Sequence, residues 1–308
     1  MVGGPEAIGK QDAGSVRDLW PGPGGFAACQ EVSLSDEVKD RRFGFGKNWR
    51  AFLSALNHER IEEAERSLRT GLGVDRLDGK RFLDIGSGSG LFSLAARRLG
   101  ATVHSFDYDG DSVDCTNELR SRYFPDDQEW TVEQGSVLDD AYMDAMGVYD
   151  VVYSFGVLHH TGQMWNAIEG AMARVDEGGL FLIGIYNDQG TKSKLWWQIK
   201  NLHCSGFIGK VIVRSIFVPY FFTCYCAASV VKRTNLFSDY KRRRGMTVYY
   251  DWRDWLGGFP FEVATVDAIT AFATERGFRL ENLKTTPAFG NNQFTFRKTV
   301  GPDSESDL

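Results

Sequence analysis

Three groups of residues have the types and spacing for chemistry. Gly86, Gly88 and Gly90 alternate with Ser87 and Ser89 directly after the run Phe82-Leu83-Asp84-Ile85. A strand that ends in a glycine turn and opens a helix lets backbone approach a ligand closely, with N–H groups pointing outward. The spacing is G-x-G-x-G; the dinucleotide fingerprint G-x-G-x-x-G needs glycine where Leu91 stands. That weakens a pyrophosphate reading, and with it a nicotinamide-dependent oxidoreductase. Asp107 follows Gly86 by 21 residues. At the tip of a second strand, beside the turn, its carboxylate can accept both hydroxyls of a ribose. The alternative is a cap for the next helix, for which Asp109 and Asp111 are better placed. Third, His159 and His160 follow the run VVYSF at 151–155, and imidazoles titrate in the range useful for proton transfer. Adjacent loop residues generally point in different directions, so at most one of the pair is expected to act as a base. The alternative is that both shape the loop through hydrogen bonds.

The elements that must position these groups alternate. Apolar strand-like runs at 81–84, 101–107, 151–155 and 178–187, and a strand with its polar turn within 130–140, are separated by turns or helix-period stretches, including 111–123 and 164–175. That alternation predicts an α/β fold with a doubly wound, mostly parallel sheet. Ligands of such sheets sit outside the carboxyl ends of the strands. Asp84, Asp107, Ser136, Ser154 and Tyr186 all fall there and are expected to converge. The chain closes with a helix at 266–276 and two strands at 278–286 and 292–298, an antiparallel hairpin completing a seven-stranded sheet.

With 43% hydrophobic and 13% aromatic residues, the 308-residue chain can build a sizeable core. A net charge of −6 argues against a general nucleic-acid binder. Cys29, Cys115, Cys204, Cys224 and Cys226 form no CxxC pair, which suggests reduced thiols in a cytoplasmic protein and no metal site. No secretory signal is apparent at the N-terminus. The expected organisation is a flexible segment at 1–42, a helical lid at 43–78, a ligand-binding core at 79–187, a cap insertion at 188–262, a closing segment at 263–300 and a disordered tail at 301–308. In the lid, the RFGFGKNW stretch at 42–49 reads as a core-plugging turn or as a hinge over the ligand loop. A helix pattern then runs from Asn48 to the Gly71–Gly73 stop. The cap contains helices near 191–203 and 206–231 and a basic run at 241–244. Residues 215–231 lack charge but contain Pro219, so a cap helix or oligomer face is expected there and not a transmembrane span. The basic run reads as a solvated loop, with a phosphate or membrane-surface contact as the lesser alternative.

Taken together, LDIGSGSG, SFDYD, GSVLD and YSFGVLHHTG resemble the successive nucleotide-binding motifs of class I S-adenosylmethionine-dependent methyltransferases. GVLHHTGQMWNAI, IYNDQG and DWLGGFPFEVA are similar to the small-molecule branch related to ubiquinone-type methylases. The resemblance implies a Rossmann-like methyltransferase fold, S-adenosyl-L-methionine as cofactor and S-adenosyl-L-homocysteine as product. It further implies that Asp84 and the backbone of Gly86, Ser87, Gly88 and Gly90 hold the methionine part. Asp107 would take the ribose with Tyr108 beside it, Ser136 and Val137 would flank adenine, and the backbone at Ser154 and Phe155 would meet the methionine amine. Where the family carries an acid and a small residue after the third strand, this chain has Ser136-Val137. The acceptor would be a small molecule methylated on oxygen, sulfur or nitrogen, with His159 or His160 as base where a proton must leave. Trp49, Tyr186, Asn187, Tyr249, Tyr250, Trp252 and Trp255 are the candidate acceptor-binding residues, since aromatics can surround an apolar group or hold a cation. Ordinary packing of a cap is the alternative. A protein or nucleic-acid methyltransferase and a non-catalytic cofactor-binding scaffold are the competing readings.

Overall fold

In the computed structural model, the described residues are 49, 53, 56–237, 248–287 and 289–300. The segments expected to be flexible at 1–42 and 301–308, most of the aromatic–glycine stretch at 42–49 and the basic run at 241–244 lie outside them. So do the side chains of Tyr250, Asp251 and Asp254.

The strands are β1 (Arg81–Ile85), β2 (Thr102–Asp107), β3 (Trp130–Gln134), β4 (Tyr149–Phe155), β5 (Val175–Tyr186), β6 (Phe278–Lys284) and β7 (Asn291–Lys298). They form one seven-stranded sheet in the order β3-β2-β1-β4-β5-β7-β6. The first five are parallel, while β7 runs antiparallel between β5 and β6. Alternation of side chains explains why both faces are apolar. Phe82, Val151, Tyr153, Leu180 and Leu182 enter one core. Leu83, Ile85, Val152, Phe181 and Ile183 enter the other.

Helices cover both faces. The first core is roofed by α1 (His58–Leu72), α2 (Leu91–Arg98) and α3 (Gly110–Tyr123). The second is roofed by α4 (Asp140–Ala145), α5 (Met164–Ala173) and, beyond the cap, α9 (Val266–Thr274). The cap comprises α6 (Thr191–Cys204), α7 (Phe207–Lys232) and α8 (Val248–Gly257). The single helix expected from Asn48 is interrupted: Asn57 adopts an extended conformation, and its side chain accepts the Arg60 N–H to start α1 afresh. The local cap prevails over the apolar period that runs through it.

The strand order reverses direction between β1 and β4. A crevice outside their carboxyl ends is therefore the topological switch point where an open α/β sheet takes its ligand.

Candidate active site

The glycine turn sits at that switch point. Gly86, Gly88 and Gly90 all have positive φ, at 78°, 57° and 77°. A Cβ on Gly86 would lie 2.5 Å from both Val157 methyls, so the turn passes tightly under the loop that follows β4. A Cβ on Gly88 would lie 3.1 Å from the Trp49 indole. Trp49, expected in the acceptor pocket, thus lies against the turn itself. Gly90 precedes α2 as its N-cap, directing the first N–H groups of that helix toward the crevice.

One carboxylate, Asp107, holds the turn directly, and a second, Asp84, ties the strand before it to α2. Asp107 Oδ2 accepts the Gly88 N–H at 2.9 Å and Oδ1 accepts the Asp109 N–H at 2.9 Å. Asp109, not Asp107, caps α3. Burial pushes the Asp107 carboxyl up to about 6 despite those backbone donors. Asp84 is buried, and its Oδ2 accepts from the Ser93 hydroxyl at 2.5 Å. The relay continues outward: Ser105 donates to Ser93 at 2.8 Å, and the Trp130 indole N–H donates to Ser105 at 2.9 Å. Burial raises Asp84 to about 7; the Ser93 hydroxyl opposes the shift and the nearby Asp107 charge adds to it. The sequence reading missed this relay, because buried serines on a strand and a helix carry no pattern of their own.

The remaining cofactor candidates divide. Ser87 bonds Thr116 of α3 at 3.0 Å, tying the turn to that helix. The buried Ser154 hydroxyl donates to the Ile85 carbonyl at 3.0 Å, joining the tips of β1 and β4. Phe155 is partly exposed beside it, and Tyr108 is exposed next to Asp107. Ser136 accepts the Leu138 N–H within its own turn, and the Val137 side chain packs in the core.

The histidines behave differently from the expectation for adjacent loop residues. A 3-10 turn at Leu158–His160 turns both rings to one side, with centroids 4.5 Å apart and 4.0 Å and 5.4 Å from the Tyr186 ring. His159 is fully buried and neither of its ring nitrogens makes a well-formed hydrogen bond. Burial, then the neighbouring His160 and Lys200, hold it well below its usual value, with a weaker opposing pull from the Gly184 backbone. His160 Nδ1 lies 2.6 Å from the Pro260 carbonyl. A carbonyl only accepts, so Nδ1 carries the proton; burial lowers this imidazole to about 4, leaving Nε2 as its lone-pair nitrogen near neutral pH.

Tyr186 links this pair to the cap. Its ring centroid lies 5.8 Å from Trp255 and 5.4 Å from Phe261. Tyr249 is exposed, and Trp252 packs against Phe221 and Tyr225 of α7, reaching Trp255 only through Phe221 and Trp196. Asn187, expected to face an acceptor, serves the scaffold: its amide donates to the Thr286 carbonyl at 2.9 Å and its oxygen accepts from Asn292 at 3.2 Å. Two further residues enter from beyond the sequence expectation. Lys200 of α6 is fully buried, donates to the Trp255 carbonyl, and lies 4.2 Å and 4.8 Å from the Trp255 and Phe261 ring centroids. Glu262 accepts the Met164 N–H at the start of α5, and burial raises it to about 7. Among the described residues, no group of three His, Cys, Asp or Glu side chains is arranged to hold a metal ion.

A family model described as a methyltransferase domain matches residues 56–210, half of the chain. The chain belongs to this methyltransferase family. Its sheet order and paired closing strands give it the class I, Rossmann-like methyltransferase fold. Curated relatives similar to this methyltransferase include the ubiquinone biosynthesis O-methyltransferases of Brucella melitensis and Brucella ovis, each 31% identical over 111 residues. The matched part covers 36% of this chain and 43% of theirs, so the chain matches less than half the length of those relatives. Among solved structures, the magnesium protoporphyrin IX methyltransferase of Synechocystis with bound S-adenosylhomocysteine is similar at 13% identity and TM-score 0.47, over 78% of this chain and 83% of that one. An O-methyltransferase family protein of Burkholderia thailandensis is similar at 12% identity and TM-score 0.49, over 78% and 57%.

Proposed function

We propose that this methyltransferase moves a methyl group from S-adenosylmethionine to a heteroatom of a small-molecule acceptor. The observation that carries the reading is Asp107 at the tip of β2, hydrogen-bonded to Gly88 of the glycine turn. That pairing sets a carboxylate for two ribose hydroxyls beside backbone free of side chains, and the cradle at Gly88 is bounded by Trp49. In this reading Asp107 with Tyr108 would hold the ribose, the turn and Asp84 the methionine part, the strand tip at Ser154 and Phe155 its amine, and the backbone at Ser136-Val137 the adenine, since the Val137 side chain itself packs in the core. When bound, the cofactor supplies an electrophilic methyl on a sulfonium, open to in-line displacement.

The chain's own contribution is alignment, exclusion of water and, for a hydroxyl acceptor, removal of a proton. Tyr186, Trp255 and Phe261 make an aromatic wall that suits a planar or apolar acceptor. His160 is the better-oriented base, because the Pro260 carbonyl fixes its tautomer; His159 packs the floor beneath it. The partial similarity to ubiquinone biosynthesis O-methyltransferases supports oxygen as the methylated atom.

The test is S-adenosylhomocysteine release with a panel of phenolic, amine and thiol metabolites. His160→Ala should lower kcat on a hydroxyl acceptor by about 10²–10⁴-fold, whereas His159→Ala should retain turnover and lose stability. Undiminished turnover in His160→Ala would remove the base assignment. Cofactor binding without turnover on any acceptor would make the chain a binding scaffold.

A further inference from the structure

Helix α7 is out of place on a soluble surface. It is 26 residues long and apolar enough to cross a membrane, yet almost none of its apolar stretch is buried. Arg214, Phe217, Phe221, Tyr225 and Ala228 form a partly covered stripe. Its aromatics meet Trp196 of α6, Trp252 of α8 and Phe237. The other faces are open: Phe207, Ile208, Ile216, Tyr220, Phe222, Val230 and Val231 are all exposed, with Phe207 at 80% and Val231 at 82%. On α6, Leu195 and Leu202 are seven residues apart, so they share a face, and both are exposed. So many large apolar side chains left exposed on one helix pair mark an interaction site.

Charge selects the occupant. From 189 to 238 the chain has seven Lys or Arg and no Asp or Glu, although its net charge is −6. Lys192, Lys194, Lys210, Lys232 and Arg233 of this segment are exposed. Apolar side chains mixed with exposed cations suit an interface where hydrocarbon lies beneath a negatively charged headgroup layer. A second copy of the same face fits less well, because a two-fold contact would set these cations against themselves. A membrane crossing fits less well too, since one stripe of α7 stays engaged with α6 and α8.

We propose that the outer face of the α6–α7 pair docks on an anionic lipid membrane, with α7 lying in the headgroup region and its open faces in contact with acyl chains. This surface is separate from the cofactor cleft and stands whether or not the acceptor is the one inferred above.

The test is flotation of the full chain with vesicles of equal parts phosphatidylglycerol and phosphatidylcholine, against phosphatidylcholine alone. Binding to the anionic vesicles should exceed binding to neutral ones by about tenfold or more at low salt and weaken as salt rises. The double variant Ile208→Asp with Val231→Asp should lose about tenfold in vesicle binding while keeping the circular dichroism and cofactor affinity of the unmodified chain. Val300→Asp, an exposed apolar site on the far side of the sequence, should bind as before. Absence of flotation with anionic vesicles would overturn the proposal, as would full binding by the double variant. So would dimerisation that the double variant abolishes while vesicles stay bare, which would assign the face to a second copy.

Discussion

Asp107→Ala is expected to weaken S-adenosylmethionine binding by about a hundredfold while leaving the fold intact. A hydrogen bond to a charged group contributes about 1.5–3 kcal/mol, and two ribose hydroxyls on one carboxylate therefore carry about 3 kcal/mol or more, or about two decades in affinity. The same carboxylate holds the Gly88 N–H, so its loss also loosens the turn. Asp107→Asn keeps one acceptor oxygen and should fall between the two. Affinity should depend on pH as well. Burial holds Asp107 near 6 and Asp84 near 7 in the free protein. Ionised, Asp107 accepts both ribose hydroxyls and Asp84 faces the cationic methionine part, so binding should strengthen as pH rises through those values and weaken by about tenfold per protonated group below them. Isothermal calorimetry at pH 5.5 and 8 measures both effects. An affinity unchanged by Asp107→Ala would separate the residue from the ribose, and a flat pH profile would show that neither carboxylate meets the ligand.

What could be read in the sequence, and what could not, follows from where the information sits. The central parallel strands β1, β4 and β5 are largely buried on both faces, so they appear as apolar runs with sharp ends. The glycine turn and Asp107 stand at those ends, and their neighbourhood follows from the parallel β1–β2 register alone. The cap helices, expected near 191–203 and 206–231, lie at Thr191–Cys204 and Phe207–Lys232. The break before α1 escaped because one Asn side chain decides it. The shared direction of His159 and His160 escaped because it depends on a single 3-10 turn. The serine relay joins four separate elements, β1, α2, β2 and β3, and none of its members is unusual in its own segment.

Lys200 shows the limit most clearly. A lysine in a helix normally reads as solvated, but Ser193, Lys200 and His203 of α6 are buried with helical spacing, and Trp196 lies partly covered on the same side. The partners that cover the amine, Trp255 and Phe261, come from more than fifty residues further on. Only the assembled cap makes the position internal, and no periodicity within α6 reports that.

That placement makes Lys200→Met a sharp test of how the cap is held. The ammonium has the Trp255 carbonyl and two ring faces for company, and burial lowers it from 10.5 to about 7. A buried charge without a counterion is destabilising, and replacing such a group with an apolar one of similar length is often stabilising by about 1–4 kcal/mol. The sign with pH is fixed by proton counting. Below pH 7 the amine is charged in both the folded and the unfolded chain, so the natural protein bears the full cost of burying it. Between about 7 and 10.5 the unfolded chain holds a proton that the folded one has released, and stability rises with pH. Lys200→Met has no such group. Its advantage in urea unfolding should therefore be greatest at pH 6, about 1–4 kcal/mol, and should shrink steadily toward pH 10. An advantage that does not change with pH would mean that the amine is not titrating inside the cap. A loss of stability at pH 6 would mean that the Trp255 carbonyl and the two rings outweigh the cost of its burial.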